Sequence, residues 1–393
     1  GLLVDEGHNL VARGRAMYSA ALEPARLGAA LAVAPAASKR ALQRLRRQWS
    51  ALVREQSEPY TCSASPPKAF VAAVQKTVAA LGEQLASEPA EVDPAFLRFH
   101  FDLLHFMRVH ELHDENWQFD ATLDAPADVP RSRGAPSATL CLRNVVPAPV
   151  LRQRFAAAHC AVVFSATLAP ARFYIDMLGL PDDTARLAIA SPFDPAHLEV
   201  RIARHISTRH ADRAASLDAL VALIAGQYAR APGNYIAFFS SFDYLQQVAD
   251  RLAQRHPGIA LWRQDRGMAE AQRAAFLDRF QPGSQGIGFA VLGGVFGEGI
   301  DLPGSRLVGA FIATLGLPQV NAANEAMRRR MDALFGDGWR YTYLHPGLQK
   351  VIQAAGRVIR GPQDRGVVHL IDDRFTRQDV REVLPAWWRL DER

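Results

Sequence analysis

The feature that most constrains this chain is a series of short, uninterrupted apolar runs from residue 161 onward. They fall at 161–164, 235–239, 287–292, 307–312 and 367–371, and helical patterns separate them at about 216–229, 242–255, 268–280, 320–335 and 347–360. A strand with one face in water alternates apolar and polar residues. A strand apolar at every position is covered on both faces. Runs of that kind separated by helices give an α/β fold with a parallel sheet between two helical layers. In such sheets ligands sit outside the carboxyl ends of the strands, so the loops that follow these runs are where chemistry is sought.

The first third has a different texture. Residues 1–10 are a strand end followed by Asp5-Glu6-Gly7-His8. Residues 11–120 are rich in Ala, Leu and Arg, show no strand-like alternation, and read as mainly helical. A Pro-rich polar stretch at 124–136 reads as a linker or mobile loop. The opening Gly1-Leu2-Leu3-Val4 resembles the end of a buried strand, and the expectation is that an N-terminal portion precedes it. The 393 residues are 49% hydrophobic and 22% charged, enough for two or three domains with real cores, which excludes global disorder. The net charge of +5 is mild. Of the 45 basic residues only Lys39, Lys68, Lys76 and Lys350 are lysine, and they follow Ser, Pro, Gln and Gln. A phosphate-cradling loop ending in Gly-Lys-Ser/Thr is therefore absent from these residues. The cysteines, Cys62, Cys141 and Cys160, lack C-x-x-C spacing and cannot supply four ligands to zinc or an iron-sulfur cluster. Their scarcity suits a reducing, cytoplasmic setting. There is no apolar run long enough to span a membrane.

Four constellations carry chemistry. Asp5-Glu6-Gly7-His8 closes an apolar strand. One carboxylate there can hold Mg²⁺ through water and a second can activate a water, or the tetrapeptide is an exposed acidic turn. Ser165-Ala166-Thr167 follows the run at 161–164 and can bond a carboxylate and nearby backbone, or cap a helix through Thr167. Gly297-Glu298-Gly299-Ile300-Asp301 follows the run at 287–292. Its glycines let backbone approach a ligand, and Asp301 can bond a ribose; the alternative is an ordinary glycine-rich loop. Finally, Gln353, Gly356, Arg357 and Arg360 recur at i, i+3, i+4 and i+7, a polar helical stripe opposite an apolar one formed by Leu348, Val351, Ile352, Ala355 and Ile359. Two guanidinia on one face suit the charge on a transferring phosphoryl group.

In this order, and with the strand end Phe239-Ser240-Ser241, these segments resemble motifs II to VI of superfamily 2 helicases. Their wording is similar to the DinG/XPD (Rad3-like) iron-sulfur helicase family. Ser191-Pro192-Phe193 and the ending Asp372-Asp373-Arg374-Phe375 add to the likeness, which is strongest over 160–375. The resemblance implies a C-terminal portion of such a helicase, from motif II onward. Residues 1–10 would be the tail of a first RecA-like domain and 11–120 a mainly helical Arch-like insertion. Residues 121–190 would return to the first domain, and 191–393 would be the second RecA-like domain. Asp5 would hold Mg²⁺ and Glu6 would activate the hydrolytic water, while Arg357 and Arg360 would face the ATP phosphates. His8, Gly299, Asp301 and Gln353 would complete the ATP contacts. Ser165 and Thr167 would couple ATP state to DNA grip, and Ser240, Ser241 and Glu298 would meet DNA.

The implied activity is ATP-dependent 5′→3′ translocation on single-stranded DNA by a monomer, with ATP and Mg²⁺ and without a membrane. A 4Fe-4S cluster and the phosphate loop are expected only upstream of these residues, so the chain alone is expected to be inactive. The rival reading is a non-enzymatic helicase-like module for nucleic-acid binding or scaffolding. Gly7 departs from the family's usual alanine, a change read as leaving the carboxylates in place. Three further features have bland readings beside functional ones. His100, His105, His110 and His113 spread around a helix rather than forming a metal face. Trp262, Trp387 and Trp388 can stack bases or pack. The basic runs at 39–47 and 328–330 can track phosphates or face solvent.

Overall fold

The computed structural model describes residues 1–87, 92–124, 137–297 and 300–392. The chain forms two compact units: Gly1–Thr184 with Val320–Gly338, and Ala185–Gln319 with Trp339–Arg393. Residues 320–338, placed by sequence in the C-terminal domain, thus pack in the first unit. Most of the Pro-rich stretch at 124–136 lies outside the described residues.

The first unit runs β1 (Leu2–Val4), α1 (Leu10–Met17), β2 (Ala20–Leu22), α2 (Pro24–Val33), α3 (Ala36–Arg54), β3 (Tyr60–Ser63), α4 (Lys68–Ser87), α5 (Pro94–Glu111), β4 (Trp117–Leu123), β5 (Ala138–Asn144), α6 (Ala148–Ala156), β6 (Ala161–Val163) and α7 (Ala171–Leu178). Helices dominate residues 11–120, as the sequence implies. On α3, Leu42, Leu45, Trp49 and Val53 fall on one stripe and all are buried. Helix α5 opens on Asp93, whose side chain accepts from Ala95 N, with Pro94 pre-set for the first turn. Its Phe99 and Phe106 join Trp49, Phe70 and Phe119 in an aromatic core. The histidines of α5 and the turn after it form no metal-holding cluster among the described residues. His105 Nε2 meets Ser19 O at 2.9 Å, His113 Nε2 meets Ala64 O at 2.8 Å, and burial lowers His100.

Alongside the helices stands an antiparallel sheet in the order β2-β5-β4-β3, which the sequence reading did not include. β2 and β3 have three and four residues, too few to show alternation. Asp120, central in this sheet and 1% exposed, grips Arg143 at 2.5 and 3.2 Å.

The second unit contains β7 (Leu198–Ile202), α8 (Arg213–Arg230), β8 (Asn234–Phe239), α9 (Phe242–Arg255), β9 (Leu261–Arg263), α10 (Glu270–Leu277), β10 (Gly286–Val291) and β11 (Gly309–Ala313). After α11 (Ala322–Phe335), which belongs to the first unit, the chain adds α12 (His345–Ala355), β12 (Gly366–Leu370), α13 (Gln378–Arg381) and β13 (Arg389–Glu392). Its sheet has seven strands in the order β13-β7-β12-β11-β8-β10-β9, and each neighbouring pair is parallel. The apolar runs end up covered on both faces for the reason they were apolar. Ile236, Phe238, Ala290, Ile312 and Leu370 pack with Phe276 of α10 and Leu348 and Val351 of α12. Tyr235, Phe239, Phe289 and Phe311 face the opposite way, onto Leu220 and Ile224 of α8 and Leu245 and Val248 of α9. This RecA-like sheet aligns the strand ends, and with them the loops that carry the remaining motifs, along one edge.

Trp262 and Trp388 are 8% and 7% exposed, so packing accounts for both. No helix among the described residues is long and apolar enough to cross a membrane.

Candidate active site

In the first unit the parallel pairing of β1 with β6 matches Val4 to Val163 and brings two loops side by side. The backbone continues the match: Phe164 N donates to Val4 O at 3.0 Å, and Gly7 N donates to Phe164 O at 3.0 Å. Asp5 and Glu6 emerge at this strand end with exposed side chains. Glu6 has a φ of 50°, the single non-glycine positive φ among the described residues, and its N–H is held by Asp5 Oδ1 at 2.7 Å. Strain of this kind persists where surroundings over-determine the backbone, and it aims the Glu6 carboxylate sideways.

That carboxylate meets its expected partners. Ser165 Oγ lies 3.3 Å from Glu6 Oε2, and buried His8 places Nδ1 2.6 Å from Ser165 Oγ and 3.2 Å from Glu6 Oε2. Thr167 N donates to Ser165 Oγ at 3.2 Å, and Thr167 O accepts from Tyr174 Oη at 3.0 Å. Residues 157 apart in sequence thereby form one acid–imidazole–hydroxyl cluster. The helix-cap alternative for Thr167 fails, because α7 begins at Ala171 with Pro170 as its cap residue. Gly7 also gains a reason. A Cβ at this position would stand 2.2 Å from Val163 Cγ1, so the β1–β6 packing favours glycine here over the family's usual alanine.

In the second unit, α12 is docked through a close backbone approach. Gly316, at φ +72°, would carry a Cβ 2.5 Å from Gly347 O. The apolar stripe of α12 is buried as its period implies, but the helix stops at Ala355. Gly356 is the C-terminal cap and not a mid-helix residue, its N–H turning back to Ile352 O and Ala354 O. Arg357 and Arg360 therefore come from the turn after the helix and not from a helical stripe. Val358 and Ile359 continue the apolar character while anchoring a non-helical segment, 1% and 4% exposed.

The turn still brings the arginines together. Arg357 Nη1 and Arg360 Nη2 donate to the same carbonyl, Ile300 O, at 3.1 and 2.9 Å. Arg360 Nε stands 3.4 Å from Asp301 Oδ1, whose side chain is 76% exposed. Asp364 Oδ2 accepts from the backbone of Arg360 and Gly361 at 2.8 and 2.7 Å, fixing the turn. Gln353 sits half-buried one turn earlier on α12. Glu298 and Gly299 lie outside the described residues.

At the end of β8 the two serines part company. Ser241 caps α9, its Oγ accepting from Tyr244 N at 3.2 Å. Ser240 is exposed and accepts from Arg213 Nη2 at 2.7 Å, while the Arg213 guanidinium lies 4.7 Å over the Tyr244 ring. Sequence reasoning missed Arg213, since nothing local links it to a serine on another element. It also gave no role to Asp372, fully buried at the end of β12. Asp372 accepts from Arg374 Nε at 2.6 Å, from Thr208 N at 2.9 Å and from the Thr208 hydroxyl. Burial pushes its carboxyl up, but Arg374 and Thr208 outweigh that and hold it low, at about 2.

The donor sets discriminate between cofactors. Asp5 and Glu6 offer exposed, hard carboxylate oxygens that fit Mg²⁺. The Arg357–Arg360 pair fits a polyphosphate. The thiols do not fit an iron-sulfur cluster. Cys62 and Cys141 lie in the antiparallel sheet, burial raises both, Cys141 to about 12, and three thiols fall short of four ligands.

A parallel seven-stranded sheet with a glycine-rich loop and an arginine turn on its carboxyl edge defines the class, a RecA-like domain. Comparison with known proteins narrows it. Residues 224–391 match the profile of the helicase C-terminal domain family. The chain is 25% identical over 191 residues to the XPD helicase subunit of general transcription and DNA repair factor IIH from Dictyostelium discoideum, covering 42% of this chain and 23% of that protein. It is 28% identical over 177 residues to regulator of telomere elongation helicase 1 from Bos taurus, covering 40% of this chain and 15% of that protein. Among solved structures, an XPD helicase superimposes with a TM-score of 0.63 at 16% identity, covering 100% of this chain and 68% of the other. S. tokodaii Xpd4 gives 0.62 at 13% identity, covering 99% and 75%. Residues 224–391 thus match a helicase C-terminal domain, and the chain is similar in sequence and fold to XPD-type helicases. It spans under a quarter of the length of these curated relatives.

Proposed function

We propose that this protein is the motor portion of an ATP-dependent DNA helicase that moves 5′→3′ on single-stranded DNA. The observation that carries the reading is the convergence of Arg357 and Arg360 on Ile300 O beside Asp301. Two fixed guanidinia at one neutral oxygen concentrate positive charge at the sheet's ligand edge, where a γ-phosphoryl group would gain from it. Asp5 would ligate Mg²⁺, which when bound neutralises phosphate charge. Glu6 would take the proton of the attacking water. His8 would hold Glu6 and Ser165 in register, so that Ser165 and Thr167 report the state of the carboxylate to the neighbouring loop. Asp301 and Gln353 would add ATP contacts, as would Gly299. Ser240, Ser241 and Glu298 would meet the DNA strand.

Arg357→Ala in the intact protein tests this. DNA-stimulated ATP hydrolysis should fall by ~10³-fold or more, the range for loss of an arginine finger, with single-stranded DNA binding largely kept. Undiminished turnover would remove Arg357 from the chemistry. A second reading, a non-enzymatic nucleic-acid-binding or scaffolding module, draws on the lack of a Gly-Lys-Ser/Thr loop in these 393 residues. Both readings expect no ATP hydrolysis from the 393-residue chain alone. They part on the intact protein: DNA-stimulated hydrolysis there excludes the module.

A further inference from the structure

Where α8 covers β7 and β12, a cavity of about 320 Å³ has a polar side formed by Arg201, His205, Gln227, Arg230 and His369 and an apolar side that includes Leu223, with Gly226 between them. It lies on the face of the sheet opposite α12. The hydrogen bonding there is lopsided. Gln227 Oε1 accepts from Arg201 Nη1 at 2.9 Å and from Arg230 Nη2 at 2.6 Å, and stands 3.1 Å from His369 Nε2. Guanidinium nitrogens only donate, so the shared atom must be the amide oxygen. The amide nitrogen turns the other way and donates to Tyr235 Oη at 3.2 Å.

Two full positive charges are thus gathered on one neutral atom. The carboxylate that reaches them is Glu199, paired with Arg201, and its side chain is 61% exposed. Arg201 Nε is buried with no hydrogen-bond partner. A buried guanidinium nitrogen left unsatisfied is costly, and like charges held together favour an anion between them. Gly226 leaves room, since a Cβ there would meet nothing within 4 Å.

We propose that this cavity binds a compact phosphate-bearing anion of pyrophosphate size, held by Arg201 and Arg230 with Gln227 as the neutral hub. The planar forks of the two arginines match phosphate oxygens. A volume at the lower end of the ~300–1,000 Å³ usual for ligand cavities suits a small molecule and not a nucleic-acid strand.

Calorimetric titration of the protein with pyrophosphate, and separately with succinate, tests the assignment. Pyrophosphate should bind saturably and succinate more weakly; tighter binding of succinate would overturn the phosphate class. Gln227→Glu sets a carboxylate between the guanidinia. It should raise the melting midpoint without ligand and cut pyrophosphate affinity by ~10-fold or more, the scale of one lost charge-assisted hydrogen bond. Arg230→Gln changes an exposed residue at little risk to folding and should weaken binding by a similar ~10-fold. Absence of saturable pyrophosphate binding, or equal affinity in the wild type and Arg230→Gln, would overturn the proposal.

Discussion

Arginines of this protein fall into two groups that differ in what answers their charge. Arg143 and Arg374 each grip a carboxylate that is at most 1% exposed, Asp120 in the first unit and Asp372 in the second. Arg357 and Arg360 share a peptide carbonyl and Arg201 and Arg230 a side-chain amide, and the carboxylates that reach Arg360 and Arg201, Asp301 and Glu199, are mostly exposed. A buried ion pair uses its charge inside the fold, and removing one partner strands the other. An exposed carboxylate is screened by water and holds its partner loosely, so a guanidinium oriented by a neutral oxygen beside one has less of its stability invested in the pair. The first group should therefore report in stability and the second in binding and turnover.

Asp372→Ala should break this comparison most visibly if it is wrong. It strands Arg374 and removes the acceptor of Thr208, so the stability read from a urea midpoint at constant slope should fall by ~3–5 kcal/mol. The same carboxyl gives a pH signature. Its folded value, near 2, lies below the ordinary carboxyl range, so its contribution is complete above about pH 4 and is lost as pH falls through the folded value. Asp372→Asn should flatten the stability profile between those limits, and an unchanged acid limb would contradict the pairing.

The next effect sharpens the contrast from the side of the carboxylate cluster. Gly7→Ala should cost ~1–3 kcal/mol through overpacking against Val163, and Val163→Ala in the same chain should recover most of it. A neutral single substitution would show that β1 and β6 are free to part. The smallest effect separates the two serines after β8. Ser241→Ala removes a helix cap and should cost ~1 kcal/mol, whereas Ser240→Ala, at an exposed side chain bonded to Arg213, should leave the melting midpoint nearly unchanged.

How much of this was legible depends on how local the signal is. Four of the five apolar runs became strands inside the seven-stranded sheet, because burial on two faces writes itself into every position; the run at 161–164 instead forms β6, paired only with β1 in a two-stranded sheet, with Val162 50% exposed. β7, with Glu199 and Arg201 interleaved among apolar residues, and β13, at the sheet's edge, carry charges that mask them, and β9 has only three residues. The stop of α12 at Ala355 was hidden because Val358 and Ile359 keep the apolar period past the true end, and Gly356 reads equally as a break or a cap. The segments around Asp5, Ser165, Ser240 and Arg357 could be singled out because each follows a strand or helix end. Their partners were not: His8 to Ser165, Arg357 to Ile300 and Thr208 to Asp372 are contacts between distant segments that no local pattern encodes.

We propose that the carboxylate cluster around Glu6 and the arginine turn at Arg357 serve the same chemical step. DNA-stimulated ATP hydrolysis by the intact protein, compared among Glu6→Gln, Arg357→Ala and the double variant, tests it directly. Groups that act as a unit are strongly non-additive, so the double variant should be about as slow as the slower single one. Losses that multiply, or a double variant that retains the wild-type rate, would contradict it.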